Sequence, residues 1–166
     1  MIKIKIYGAG SIGNHYAYAC LKKGWKITIV DNDPEALVRM KNKIFPSRYG
    51  YWDKNIILNS KDPSDYFDIV IIGTPPQSHL NIAIKNLKQK QRPKIIQVEK
   101  PLCTPDLKFL KNFQFTKNKF KDVQIFGGYN HLLNKNTILS EKILKNENFK
   151  NLIRIDSFNN EEWSAI

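Results

Sequence analysis

Residues 2–24 read Ile-Lys-Ile-Lys-Ile-Tyr-Gly-Ala-Gly-Ser-Ile-Gly-Asn-His-Tyr-Ala-Tyr-Ala-Cys-Leu-Lys-Lys-Gly. Ile2 to Tyr7 alternates apolar and cationic residues before the turn, the pattern of a β-strand. Ile12, Tyr16, Ala19 and Cys20 then recur at i, i+4, i+7 and i+8, which predicts the apolar face of a helix. Gly24 follows where a helix commonly ends. The handover between the two is Gly8-Ala9-Gly10-Ser11-Ile12-Gly13, a G-x-G-x-x-G sequence. In that pattern the first glycine permits a tight turn, the second lets backbone approach a diphosphate, and the third lets helix and strand pack closely. The free N–H groups and positive dipole end of the helix face the phosphates. A glycine-rich turn alone is a weak signal; a strand before it and a helix after it make it a dinucleotide-binding signal.

Moving outward, Lys26 to Val30 is a second strand, and Asp31 stands at its end. A carboxylate there would accept hydrogen bonds from adenosine ribose hydroxyls and repel the extra phosphate of NADP. Asn32 follows, where a phosphate site would offer Arg, so NAD is expected over NADP. Asp33 and Pro34 can cap and open the next helix. Further strands are read at Asn55 to Leu58, Asp68 to Ile72, Lys94 to Val98 and Val123 to Phe126. One helix carries Leu80, Ala83, Ile84 and Leu87. Another is predicted from Thr104-Pro105 with Leu107, Leu110 and Phe113. Arg48 to Lys54 reads as an irregular surface connection. Strands alternating with amphipathic helices predict an α/β, doubly wound parallel sheet of the Rossmann type over residues 1–127. After Gly127-Gly128 the character changes, with a helical stretch around Ile138 to Leu144 and a strand-like run from Leu152 to Phe158. One strand cannot make a sheet domain, so residues 128–166 are read as the opening of a truncated α+β substrate domain.

In a doubly wound sheet the C-terminal strand ends share one edge, where ligands bind. Those ends are Gly8-Ala9-Gly10, Asp31, Gly73-Thr74-Pro75-Pro76, Glu99-Lys100-Pro101 and Gly128-Tyr129-Asn130, each small, polar or rigid. The set resembles the Gfo/Idh/MocA oxidoreductases: the glycine fingerprint with Asp31, the run Asp68-Ile-Val-Ile-Ile-Gly-Thr-Pro75 followed by His79, the run Val98-Glu-Lys-Pro-Leu102, and Gly128-Tyr129-Asn130. The resemblance covers nearly the whole chain, about the first half of a typical member. It implies an NAD(P)-dependent dehydrogenase acting on a secondary alcohol of a sugar, sugar nucleotide or cyclitol. It also implies that Ser11 and Ile12 share the cofactor contacts of the fingerprint, and that Thr74, Pro75 and His79 line the pocket beside the nicotinamide ribose. Glu99 would fix its loop or hydrogen-bond the cofactor, and Pro101 would set the local backbone through a cis Lys100–Pro101 bond. Lys100 would be the catalytic residue, reaching the substrate hydroxyl. Burial, together with the positive charge of oxidised nicotinamide, would favour its neutral amine, the better proton acceptor. Tyr129 and Asn130 would face the substrate. Two departures stand out. The family's Arg after the Tyr-Asn pair is replaced by His131-Leu132-Leu133, and its second-domain Asp and His have no counterpart here. Cofactor binding with little or no turnover is therefore expected, and self-association only through the second domain.

Composition sets the remaining bounds. The hydrophobic fraction of 42% can fill a core. No apolar run approaches the roughly 20 residues that span a bilayer, and the N-terminus lacks the pattern of a signal peptide, which points to the cytoplasm. Cys20 and Cys103 match no metal-ligand spacing, and no metal is expected. Cys20, on a helix face, reads as a buried thiol. His15 and His131 show no partner pattern and read as structural. The net charge of +12 invites a nucleic-acid or other polyanion partner, but the cations are nearly all lysine and spread along the chain, whereas phosphate and base readout favour Arg. Nucleic acid is therefore not expected; a small sugar-like substrate is. A non-catalytic NAD-binding sensor or scaffold is the alternative to the enzyme.

Overall fold

Six short runs rich in β-branched residues become six parallel strands: β1 (Lys3–Tyr7), β2 (Lys26–Val30), β3 (Ile56–Asn59), β4 (Ile69–Ile72), β5 (Ile95–Val98) and β6 (Gln124–Gly127). They are ordered β3-β2-β1-β4-β5-β6, and every neighbouring pair is parallel. This is the doubly wound Rossmann order, with the chain reversing direction across the sheet between β1 and β4. The computed structural model describes residues 1–129 together with Lys135, Ile138, Leu139, Glu141 and Lys142. Met1–Tyr129 forms one compact unit, and the five later residues are helical. Asn130, His131, the run Leu152 to Phe158 and most of the expected second domain lie outside the described residues.

Helices cover both faces of the sheet. On one, α1 (Ser11–Lys22), α2 (Pro34–Arg39), a π-helical turn (Met40–Ile44) and α3 (Phe45–Tyr49) enclose Ile4, Ile6, Ala17, Ile27, Ile29, Met40 and Phe45. On the other, α4 (Pro76–Leu87) and α5 (Leu110–Lys119) enclose Val70, Ile72, Leu80, Ala83, Leu87, Ile96, Val98 and Phe113. Burial of these side chains is the main favourable term in folding. Asp33 caps α2 by accepting from Glu35 N at 2.9 Å, with Pro34 next.

Three expectations are corrected. The inward face of α1 is Gly13, Ala17 and Cys20, while Ile12 and Ala19 are exposed. Glycine sets this phase: a Cβ on Gly13 would lie 1.9 Å from Gly8 O, so residue 13 has to meet the strand. The helix expected from Thr104 begins only at Leu110. Asp106 accepts from the Thr104 hydroxyl and Lys108 N, a local turn that competes with helix, and Leu107 and Phe109 take positive φ. Arg48 and Tyr49 are helical rather than irregular. Phe45 and Tyr49 anchor α3, Tyr49 stacking on Tyr18 at 4.0 Å between ring centroids, and Trp52 beyond the helix packs edge-on to Phe45. In β1 the alternation of apolar and cationic residues does not separate a buried face from an exposed one. A central parallel strand is covered on both faces, and Lys5 is fully buried.

Candidate active site at the strand ends

The strand ends stop in register. Gly8 N donates to Val30 O at 2.9 Å, Asp31 N to Asn59 O at 3.2 Å and Gly73 N to Tyr7 O at 2.9 Å. Glu99 N donates to Ile72 O at 2.9 Å and Gly128 N to Val98 O at 2.7 Å. The strand ends from Gly8 to Gly128 thus stand in one row along one edge of the sheet.

At β1 the row is shaped by backbone contact. Gly8 has φ +104°, and a Cβ there would fall 2.8 Å from Gly73 O. Gly10 differs: a Cβ would meet nothing within 4 Å, and the residue lines an open crevice. Its bare backbone therefore borders space that a side chain would occupy. The first turn of α1 has no side-chain cap and no acidic residue, leaving its orphan N–H groups and positive end uncompensated. The buried Asn14 amide steadies the loop by donating to Ala9 O at 3.1 Å and Gly10 O at 2.8 Å. Asp31 ties the loop to the next strand, accepting from Ala9 N at 2.8 Å through Oδ2 and from Asp33 N at 3.0 Å through Oδ1. The crevice, about 720 Å³, is lined by Gly8, Gly10, Asp31, Asn32, Thr74 and Pro75, with Ser78 and Ile82 from α4. Ser78 Oγ donates to Pro75 O at 2.8 Å and lies 2.6 Å from Thr74 Oγ1, which fixes the turn into α4.

His79, expected beside these residues, is buried and does not line the crevice. Its Nδ1 lies 2.9 Å from Pro101 O and its Nε2 2.5 Å from Thr74 O, stapling the β4–α4 turn to the loop after β5. In that loop the Lys100–Pro101 bond is cis. Glu99 is 6% exposed; its Oε1 accepts from Tyr16 Oη at 2.5 Å and its Oε2 from Lys100 N at 3.2 Å. Gln97 Nε2 in turn donates to Tyr16 Oη. Burial, and then the Glu99 carboxylate, push the Tyr16 phenol up, so it stays a hydrogen-bond donor. A Cβ on Gly128 would come within 2.6 Å of Glu99 Oε1. Lys100 is exposed, contrary to the expectation of burial: its backbone is held by Glu99 while its side chain points away from the core. Tyr129 is half exposed, its ring against Gly127.

A second network went unnoticed in the sequence. Asp62, lining the crevice, pairs with Lys5 at 2.9 Å and Lys85 at 2.7 Å, and accepts from Tyr7 Oη at 2.7 Å. Asn86 Nδ2 donates to Tyr7 Oη at 3.1 Å. Burial pulls the Lys5 ammonium down against the pull of Asp62. Burial would raise the Asp62 carboxyl, but the bonds from Lys85, Lys5 and Tyr7 outweigh it and hold the group below the ordinary carboxylate range. The signal available was topological, since a lysine in the middle of β1 has no route to water. Burial also pushes the Cys20 thiol up to about 11, as an inert core thiol requires.

No group of three His, Cys, Asp or Glu among the described residues could hold a metal ion, and no described helix is long and apolar enough to cross a membrane. No curated protein sequence matches the chain. Among solved structures, a Thermotoga maritima protein assigned as an oxidoreductase superposes with TM-score 0.60 at 20% identity, over 87% of this chain and 43% of its own. L-tryptophan dehydrogenase from Nostoc punctiforme gives 0.50 at 14% identity, over 84% and 41%. At these identities the likeness is one of fold, and the chain spans less than half the length of either protein. The family model described as the oxidoreductase family with NAD-binding Rossmann fold matches residues 2–125, from the first strand into the last. The chain belongs to the Gfo/Idh/MocA oxidoreductases.

Proposed function

We propose that the crevice at the ends of β1, β2 and β4 seats the adenosine and diphosphate of NAD(H), in preference to NADP(H). The parent reaction would be reversible oxidation of a secondary alcohol on a sugar, sugar nucleotide or cyclitol. The observation that carries the reading is the union of Asp31 with the glycine loop at one crevice: the carboxylate that would take a ribose diol is hydrogen-bonded to the loop that would take the diphosphate. The open space over Gly10 and the uncapped start of α1 suit an anionic group there. Asp31 presents negative charge where NADP would place its extra phosphate.

The bound nicotinamide supplies the hydride acceptor. Lys100, exposed at the end of β5, is the candidate proton acceptor for the substrate hydroxyl, a role that requires bound cofactor and substrate to cover its amine, and Tyr129 would stand on the substrate side. Glu99 serves the reaction by holding Lys100 N rather than by acting as an acid. His79 serves by joining the two loops.

Calorimetric titration with NADH and NADPH tests the reading. NADH should bind more tightly, and Asp31→Ala should weaken NADH about 10- to 100-fold, the worth of hydrogen bonds to a charged group, while narrowing its advantage over NADPH. A wild-type protein that binds neither nucleotide would overturn the proposal. Tighter binding of NADPH would overturn the NAD preference alone.

A further inference from the structure

Arg48 stands apart from the other cations of the chain. It is carried by α3 and held against the first turn of α1, where Nη1 donates to Ser11 Oγ at 3.0 Å and lies 3.4 Å from His15 Nε2. His15 Nδ1 is 2.7 Å from Tyr49 Oη, an arrangement satisfied when Nε2 accepts from Arg48 and Nδ1–H donates to the phenol. The ring of Tyr49 is stacked on Tyr18 and set edge-on to Phe45. Aromatic packing thus fixes the helix that delivers the guanidinium.

The electrostatics of that position are unusual. Arg39 pairs with Asp33 and Glu35, and Arg92 with Asp122. Among the described arginines only Arg48 has no carboxylate partner. It is half-buried and sits beside a helix start that carries no acidic residue. Asp31 bonds the loop at Ala9, but no carboxylate pairs with Arg48 itself, so the guanidinium and the positive helix end both gain if an anion binds between them. The guanidinium has five N–H donors, more than Ser11 and His15 use. Because Ser11 Oγ accepts from Arg48, its own proton remains free for a phosphate oxygen.

We propose that Arg48 is a diphosphate-binding residue at the margin of the cofactor site: it stands beside the crevice rather than in its lining, reaches the glycine loop from α3 at Ser11, and acts in part through the Ser11 hydroxyl. This rests on the reading of the crevice as a dinucleotide site. It adds a side-chain cation to a loop that otherwise offers the phosphates only backbone N–H groups and a serine.

The test is titration of wild type, Arg48→Met and Arg48→Lys with NADH and with ADP, at low and at physiological salt. Arg48→Met should weaken both ligands about tenfold at low salt, the worth of one charge-assisted hydrogen bond. It should also flatten the salt dependence, because one fewer cation meets the phosphates. Arg48→Lys, which keeps the charge but not the fork, should fall between, and it carries the test if the methionine variant does not fold. Unchanged affinity in the variants, or weakening with the wild-type salt dependence, would show that Arg48 only fastens α3 to α1. If wild type binds neither NADH nor ADP, the dinucleotide reading itself fails and this inference falls with it. If wild type binds both and the variants bind them undiminished, only the role of Arg48 is lost.

Discussion

The two ends of the site are built on different principles. At β1 the geometry is set by backbone against backbone: Gly13 lets α1 descend onto Gly8, and Gly8 lets the turn approach Gly73. At β5 it is set by side chains: Tyr16 from α1 holds the Glu99 carboxylate, Glu99 holds Lys100 N, and His79 pins the carbonyls of Thr74 and Pro101. The difference teaches where tolerance lies. A contact between backbones admits no replacement atom, so its glycines are steric necessities. A hydrogen-bonded chain can lose one member and pay only for the partner left behind.

The largest effect is expected beneath the crevice, where the two principles meet. Asp62→Ala leaves Lys5 buried without its bonded counter-charge and removes a partner from Tyr7 and Lys85. Breaking a buried pair from one side costs about 3–5 kcal/mol, to be read by denaturant unfolding. A Lys5→Met, Asp62→Leu double variant should recover most of the loss, because no stranded charge remains. Recovery would show that the pair shapes the crevice floor without being required for the fold; a double variant as unstable as the single would show the reverse. The acid limb gives an independent reading. The Asp62 carboxyl is held below its ordinary 3.8, so its contribution is fully present above that pH and disappears as pH falls through the lower, folded value. The single variant should lose stability less steeply over that range.

Gly13→Ala follows in size. The added carbon would lie 1.9 Å from a backbone oxygen, so α1 must shift bodily, at about 3 kcal/mol, the upper part of the overpacking range. Tyr16→Phe tests the other end. Without the phenol, Glu99 Oε1 and the Gln97 amide lose their partner, a cost of about 1–3 kcal/mol for polar groups left unsatisfied. A smaller effect from Gly13→Ala than from Tyr16→Phe would invert the comparison.

Sequence reading recovered what backbone sterics write directly. The glycine fingerprint, Asp31 after β2, the continuous apolar run of β4 and the cap at Asp33 each impose a local constraint that one or two residues reveal. The doubly wound parallel sheet followed, since strands alternating with helices have few ways to close. Three kinds of feature escaped. The phase of α1 escaped because helical periodicity was counted from Ile12, while the true contact is made by a residue with no side chain. The network around Lys5 escaped because an alternating strand looks half-exposed until its neighbours on both sides are known. The embrace of Glu99 by Tyr16 escaped because its members lie 83 positions apart and neither is unusual alone. Lys100 was located by its neighbours in the motif, but its exposure depends on what packs around the end of β5.

The smallest change in stability is expected at Gly10, and it separates shape from function at the β1 end. Gly10 has φ −75° and ψ −167°, extended backbone that alanine adopts without strain, and a Cβ would meet nothing within 4 Å. Gly10→Ala should therefore leave unfolding within about 0.5 kcal/mol of wild type, as for substitutions that disturb no contact. The methyl group would nevertheless stand on the floor of the crevice, where backbone has to come close to a phosphate. NADH affinity should fall at least about tenfold, equivalent to 1.4 kcal/mol, with the fold intact. Loss of binding without loss of stability is the signature of a glycine retained for a ligand, as Gly13 is the signature of one retained for packing. Should Gly10→Ala bind NADH as well as wild type does, the open space above the loop is not where the diphosphate lies, and the β1 end would be glycine-rich for reasons of packing alone.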